Sequence, residues 1–169
     1  MIRLRRAPDF VIGNPDAPYL RRWWILPRNR FFNIYLHQIL RSDDDRALHD
    51  HPWWNVSIIL KGGYREWMPM HLPKHKLTLP NCSQQIGEIR KPGDFIFRAA
   101  RYAHRLELLN DGYKNPPQAI PCWSLFITGP RIREWGFICP NGWRHWRDFI
   151  GVAEGNAKGD EIGPGCGEQ

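Results

Sequence analysis

With 169 residues the chain is long enough for one domain with a real core, which nine Trp, eight Phe and five Tyr make aromatic. Fifteen Gly and fifteen Pro, with little helical register, exclude a helical bundle and point to short strands joined by tight turns. The net charge of +7 comes from arginines scattered singly, with clusters only at Arg3, Arg5 and Arg6 and at Arg21 and Arg22. That is a solvated basic surface rather than a nucleic-acid footprint.

No apolar run approaches the length of a membrane span, and no apolar segment follows Met1. A cytoplasmic protein without a signal peptide is expected. Cys82, Cys122, Cys139 and Cys166 show no CxxC spacing and are expected as free thiols.

Residues 1–31 read as an N-terminal extension that packs Trp23 and Trp24 on the domain. Residues 32–40 alternate as a strand, with Ile34, Leu36, Gln38 and Leu40 on one face and Tyr35, His37 and Ile39 on the other. His37 is placed there as a cavity-lining side chain or a hydrogen-bonded core histidine. Asp43, Asp44 and Asp45 form a charged turn. A central strand follows over 49–60: His49, His51, Asn55 and Ser57 share one parity and line a cavity, while Trp54, Val56, Ile58 and Leu60 share the other. Lys61-Gly62-Gly63 is a hairpin signal, with a return strand from Tyr64.

Residues 68–83, with His71 and His75, read as a long excursion whose histidines face solvent. Strands are expected at 86–90, 95–97, 104–109, 122–128 and 134–139, with His104, Leu106 and Leu108 facing inward. From Asn141 the period changes. Trp143, Trp146, Phe149 and Ile150 make the stripe of a short amphipathic helix that stops before Gly151. The remaining 152–169 is glycine-rich and nearly free of apolar residues, and reads as a flexible tail. The strand-built domain with its helix is therefore expected over 32–151.

His49 and His51, two apart on a strand, point two imidazoles at one place. His104 follows Gly93 by eleven residues in a turn–strand–loop–strand context. These positions resemble the cupin superfamily. Its first motif is matched by His49, His51, Asn55 and Gly62, with Asn55 where a glutamate is usual. Its second is matched by Gly93 and His104, with Ala99, Arg101 and Leu108 where Pro, Gly and Asn are usual.

The resemblance implies an all-β double-stranded β-helix (jelly-roll) barrel and a homodimer. It implies a divalent metal ion (Fe, Zn, Ni or Mn) on His49, His51 and His104. Three neutral imidazoles with open coordination positions suit such an ion and leave room for a ligand. The string His49-Asp50-His51 is similar to that of thiol dioxygenases, although Phe126 and Thr128 replace the auxiliary His and Tyr of those enzymes. The stretch from Thr128 to Phe137 resembles small single-domain cupins of bacterial and phage genomes.

Asn55, Ser57, His37, Tyr64, Arg98 and Arg101 are the candidates for the surrounding pocket, with Arg65, Arg98 and Arg101 near the mouth as possible anion clamps. Two function classes follow. One is an Fe(II)-dependent, dioxygenase-like oxidoreductase acting on a small anionic substrate. The other is a non-catalytic metal or small-ligand binding module, and a metal-dependent sugar isomerase is a weaker third. No membrane partner is expected.

Overall fold

The computed structural model describes residues 6–14, 16–43, 47–70, 85–152 and 163–167. The expectations for His71, His75, Cys82, Asp44 and Asp45 lie outside these residues.

Two layers of strands enclose the core. The larger sheet has the order β1-β2-β3-β12-β5-β8. Its members are β1 (Phe10–Ile12), β2 (Leu20–Trp24), β3 (Asn33–Ile39), β12 (Cys122–Thr128), β5 (Asn55–Lys61) and β8 (Phe95–Arg98). The N-terminal segment thus supplies the sheet's outer strands, and Trp23 stacks on Trp123 with ring centroids 5.6 Å apart.

The second layer is two three-stranded ladders. One runs β7-β6-β9, that is β7 (Gln85–Arg90), β6 (Tyr64–Pro69) and β9 (Arg105–Leu108). The other runs β14-β13-β4, that is β14 (Gly142–His145), β13 (Gly136–Cys139) and β4 (Leu48–His49). An antiparallel bridge between His49 and His104 joins the ladders at their seam. A small ladder of β10 (Asn110–Asp111) and β11 (Gln118–Ala119) stands apart.

The chain passes repeatedly between layers. It leaves β5 for β6 through Lys61-Gly62-Gly63, where Gly62 adopts φ 74° and a side chain would press on the Pro121 carbonyl. It returns from β7 to β8 through a turn closed by Asp94, whose carboxylate accepts from the Lys91 N–H at 2.9 Å. Alternation fills the space between the layers. Leu20, Ile39, Ile59, Ile96 and Cys122 from one sheet meet Tyr64, Leu106 and Leu108 from the other. Burial of each such side chain contributes roughly 1.5–3 kcal/mol.

Three local expectations need correction. The central strand is interrupted: β4 ends at His49 and β5 begins at Asn55, because Pro52 cannot continue a ladder. The helix is shorter than its apolar stripe. Residues 142–145 pair with β13 as β14, and only α1 (Trp146–Ile150) is helical, ended by Gly151 at φ 74°. The Trp143 position matches a helical period by coincidence of a tight Pro140-Asn141 turn with a strand.

Finally, Cys139 and Cys166 are not free thiols but a disulfide spanning 27 residues. Residues 163–167 dock on α1 through Gly165 N–H to Phe149 O at 3.0 Å, and Arg144 Nη1 donates to Gly165 O at 2.7 Å. Such a pairing leaves no local spacing pattern. Cys122 is free and buried, and burial pushes its thiol up to about 12.

Candidate metal centre

The seam between the ladders positions the histidines. His49 and His104 exchange both backbone hydrogen bonds, at 2.8 and 3.0 Å, so they form a directly opposed antiparallel pair. The side chains of such a pair leave the ladder on the same face. His51 follows two residues after His49, its N–H held by Ala100 O at 3.0 Å. The strand interruption therefore leaves the expected convergence intact. One ligand-capable atom from each of the three histidines lies within 4.8 Å of the others. His51 Nε2 and His104 Nε2 are 2.9 Å apart.

A buried polar network fixes this cluster from behind. Glu66 on β6 is fully buried at 0% exposure and faces the core beside Leu106. Its Oε1 accepts from His104 Nδ1 at 2.7 Å and from Arg98 Nε at 2.6 Å, and its Oε2 accepts from Arg90 Nε at 2.7 Å. Donation from Nδ1 to Glu66 selects the His104 tautomer whose Nε2 lone pair points toward His51.

Arg98, 1% exposed, reaches across from β8 in the other sheet. Its Nη1 donates to Ser57 Oγ at 2.8 Å and to Asn55 Oδ1 at 3.3 Å, and its Nη2 to the Tyr64 hydroxyl at 3.0 Å. The bond from Arg98 orients the Asn55 amide and leaves Asn55 Nδ2 buried without an acceptor among the described residues.

The charges follow from this arrangement. Burial alone would raise the Glu66 pKa, but the His104 hydrogen bond and the Arg98 guanidinium hold it well below the ordinary carboxylate range. Burial and the Arg98 charge bring His104 down to about 3 against the pull of Glu66. His51 is also driven well below its ordinary value, by burial and by the charges of His104, His49, Arg98 and Arg22. Both imidazoles are neutral at physiological pH, the form that ligates a metal.

Aromatic rings surround the cluster. Trp53, Phe126 and Tyr102 stand 6.0, 6.4 and 5.9 Å from the histidine rings they face. Trp135 lies 6.5 Å from His49 and stacks on Trp146. Asp50, between the two histidines in sequence, points away from them. It accepts from Gly136 N–H at 2.9 Å, Arg133 Nη1 at 2.5 Å and Trp143 Nε1 at 3.1 Å, anchoring the 133–136 segment. Asp43 accepts from Leu106 N–H at 2.6 Å and lies 3.7 Å from His49 Nδ1.

The other pocket candidates separate. Ser57, Tyr64 and Asn55 cradle Arg98 rather than face the imidazoles. Arg98 is neither a clamp at the mouth nor a surface group, the two roles the sequence left open, but an interior ion-pair partner, because it alternates inward with Ile96. Arg101 is exposed and Arg65 lies over the Trp67 ring at 5.5 Å. His37 is buried, accepts from Arg22 Nε at 2.8 Å and stacks on Phe126 at 4.7 Å. Burial and the Arg22 charge hold it neutral.

Glu66 and Arg22 were not singled out by the sequence. The inward parity of Glu66 with Tyr64 on the return strand was a usable signal. Arg22 carried none, lying in a segment read as an extension.

These shifts set a pH dependence. His37, His51 and His104 have folded-state pKa values below the unfolded value of about 6.5. Below that pH the unfolded chain binds protons that the folded chain refuses, so stability falls as pH falls. For His104 the loss continues down to about 3. The depressed Glu66 value acts in the same direction: its stabilisation is present above the unfolded carboxylate pKa and lost as pH drops through the folded one. Metal-free protein is expected to lose roughly 2 kcal/mol per buried histidine between pH 7.5 and 5, read from urea midpoints. A flat profile would contradict neutral burial.

Two facing layers, a chain that alternates between them, and three histidines gathered at one seam decide the architecture. The fold is a double-stranded β-helix. Solved structures with a similar course include the DMSP lyase DddQ from Ruegeria pomeroyi, at 14% identity and TM-score 0.48, covering 82% of this chain and 61% of that one. A conserved protein with a double-stranded β-helix domain from Klebsiella pneumoniae shares 13% identity at TM-score 0.45, covering 74% and 89%. The polyketide cyclase RemF from Streptomyces resistomycificus shares 14% at TM-score 0.46, covering 78% and 82%. These likenesses concern the fold alone. No family model matches the chain, and no curated protein matches it in sequence.

Proposed function

We propose that this chain is a cupin that holds one divalent metal ion on His49, His51 and His104 and presents it to a small anionic molecule. The carrying observation is the 2.9 Å separation of His51 Nε2 and His104 Nε2, with His49 in the same cluster. Two nitrogens each about 2.1 Å from one ion, at right angles to each other, stand about 3.0 Å apart, so the residues fit the group. Three ligands leave positions open for a further molecule.

The preferred reading is an Fe(II)-dependent, dioxygenase-like oxidoreductase. When bound, iron supplies one-electron and dioxygen chemistry at its open positions. The protein's own residues do the rest. Glu66 fixes the His104 tautomer and orientation. Arg98 holds Glu66 ionised and ties the two sheets together behind the cluster. Trp53, Phe126 and Tyr102 limit water around the imidazoles, and Asn55 Nδ2 remains as an unused donor. Because the ligands are neutral and the Glu66 charge is compensated by Arg98 and Arg90, the ion's charge favours an anionic partner. The same compensation speaks against an isomerase, since the buried carboxylate is saturated by three donors and is no free base.

Elemental analysis of protein purified without an affinity tag is the test, expected to give about one divalent ion per chain. Iron-loaded protein should then consume oxygen with a small thiol or carboxylate, and zinc exchange should abolish this. Ligand binding that is the same with either metal, without oxygen uptake, would identify the non-catalytic binding module instead. Absence of any metal after reconstitution would overturn both.

A further inference from the structure

Arg22 lies at the inner face of β2, where its register partners are Phe10 on β1 and His37 on β3. Three features prepare its guanidinium. Nε donates to His37 Nε2 at 2.8 Å. The group lies over the Tyr35 ring at 4.6 Å. His37 in turn stacks on Phe126, whose ring stands 6.4 Å from His51, so a short chain of contacts links Arg22 to the metal cluster.

With Nε committed, the Nη1 and Nη2 edge remains, and among the described residues it has no acceptor and no carboxylate partner. Other inward arginines differ, since Arg98 and Arg90 both pair with Glu66. Burial lowers the Arg22 pKa to about 10, which leaves it charged at neutral pH. A half-buried cation without a counter-ion, immobilised on an aromatic ring, is prepared for an incoming anion. The end-on pair of guanidinium N–H groups matches the two oxygens of a carboxylate.

We propose that Arg22 is the anion-binding residue of this pocket, and that Nη1 and Nη2 grip a carboxylate of the ligand whose other end reaches the metal. The proposal rests on the metal centre proposed above and names the class of its ligand: a small molecule with a carboxylate at one end and a metal-binding group at the other. His37 is a positioning residue for this grip, holding Nε and leaving the Nη edge for the ligand.

Calorimetric titration of cobalt-loaded protein with linear dicarboxylates from malonate to adipate, each beside its monoamide, tests it. Wild type is expected to bind one member of the series about tenfold more tightly than its monoamide. In Arg22→Met that preference should vanish while cobalt content stays unchanged, and Arg22→Lys should restore only part of it. An Arg22→Met protein that keeps the preference would overturn the proposal, as would a wild type without one. Tighter binding of inorganic phosphate than of any dicarboxylate would overturn the carboxylate assignment. Failure of the metal centre looks different: neither protein then retains cobalt. The same titrations of metal-free protein would in that case read the Arg22 dependence of carboxylate binding, and its absence there too would overturn the grip.

Discussion

Glu66→Ala is expected to lower stability by about 3–5 kcal/mol, because it strands a buried guanidinium in the core. Arg98, 1% exposed, would lose its ionic partner while keeping only neutral ones in Ser57, Tyr64 and Asn55. For a domain of this size the loss corresponds to a fall of about 6–20 °C in Tm. The same substitution frees the His104 ring to turn and to change tautomer, and should weaken metal binding by about 10–100-fold. Glu66→Gln separates the two effects. It keeps an oxygen that can accept from His104 or Arg98 but removes the charge, so metal affinity should suffer less than stability. Denaturant midpoints and chelator competition measure the two quantities. Wild-type stability in Glu66→Ala would show that Arg98 finds compensation elsewhere.

His51→Ala is expected to weaken divalent metal binding by about 100-fold or more, since a ligand contributes roughly 3 kcal/mol where four supply 10–16. His51 is the cleanest of the three to remove, because no carboxylate depends on it and its backbone hydrogen bond to Ala100 survives the change. His37→Ala provides the contrast. It lies on β3 of the larger sheet, is buried and neutral, and accepts from Arg22, yet it stands outside the cluster of three. Its loss should leave metal affinity within a factor of about two. Equal effects from both substitutions, measured by competition with a chromophoric chelator, would mean that His51 acts through packing rather than ligation.

The sequence made the histidine cluster readable because it is carried by short-range pattern. His49 and His51 share a parity, and His104 keeps its register after Gly93. What lies behind the cluster was not readable, because it is built by contacts between sheets. Arg98 and Glu66 are 32 residues apart and meet only when β8 and β6 face each other. Asn55 occupies the position where the first motif usually has a glutamate, yet its oxygen serves Arg98. In the same way the Cys139–Cys166 bond depends on residues 163–167 returning to α1, a contact that spacing does not encode. The helix boundary failed for a different reason. An apolar stripe at 143, 146, 149 and 150 has the helical period whether or not its first member is helical, and pairing with β13 took Trp143 into a strand.

X-ray absorption spectroscopy of the zinc-loaded protein reads the three-histidine centre at first hand. Three imidazole nitrogens at about 2.0–2.1 Å are expected, with a remaining shell of light atoms and loss of one imidazole in His104→Ala. Fewer than three imidazoles in wild type, or a sulfur shell at about 2.3 Å, would contradict a centre built on His49, His51 and His104.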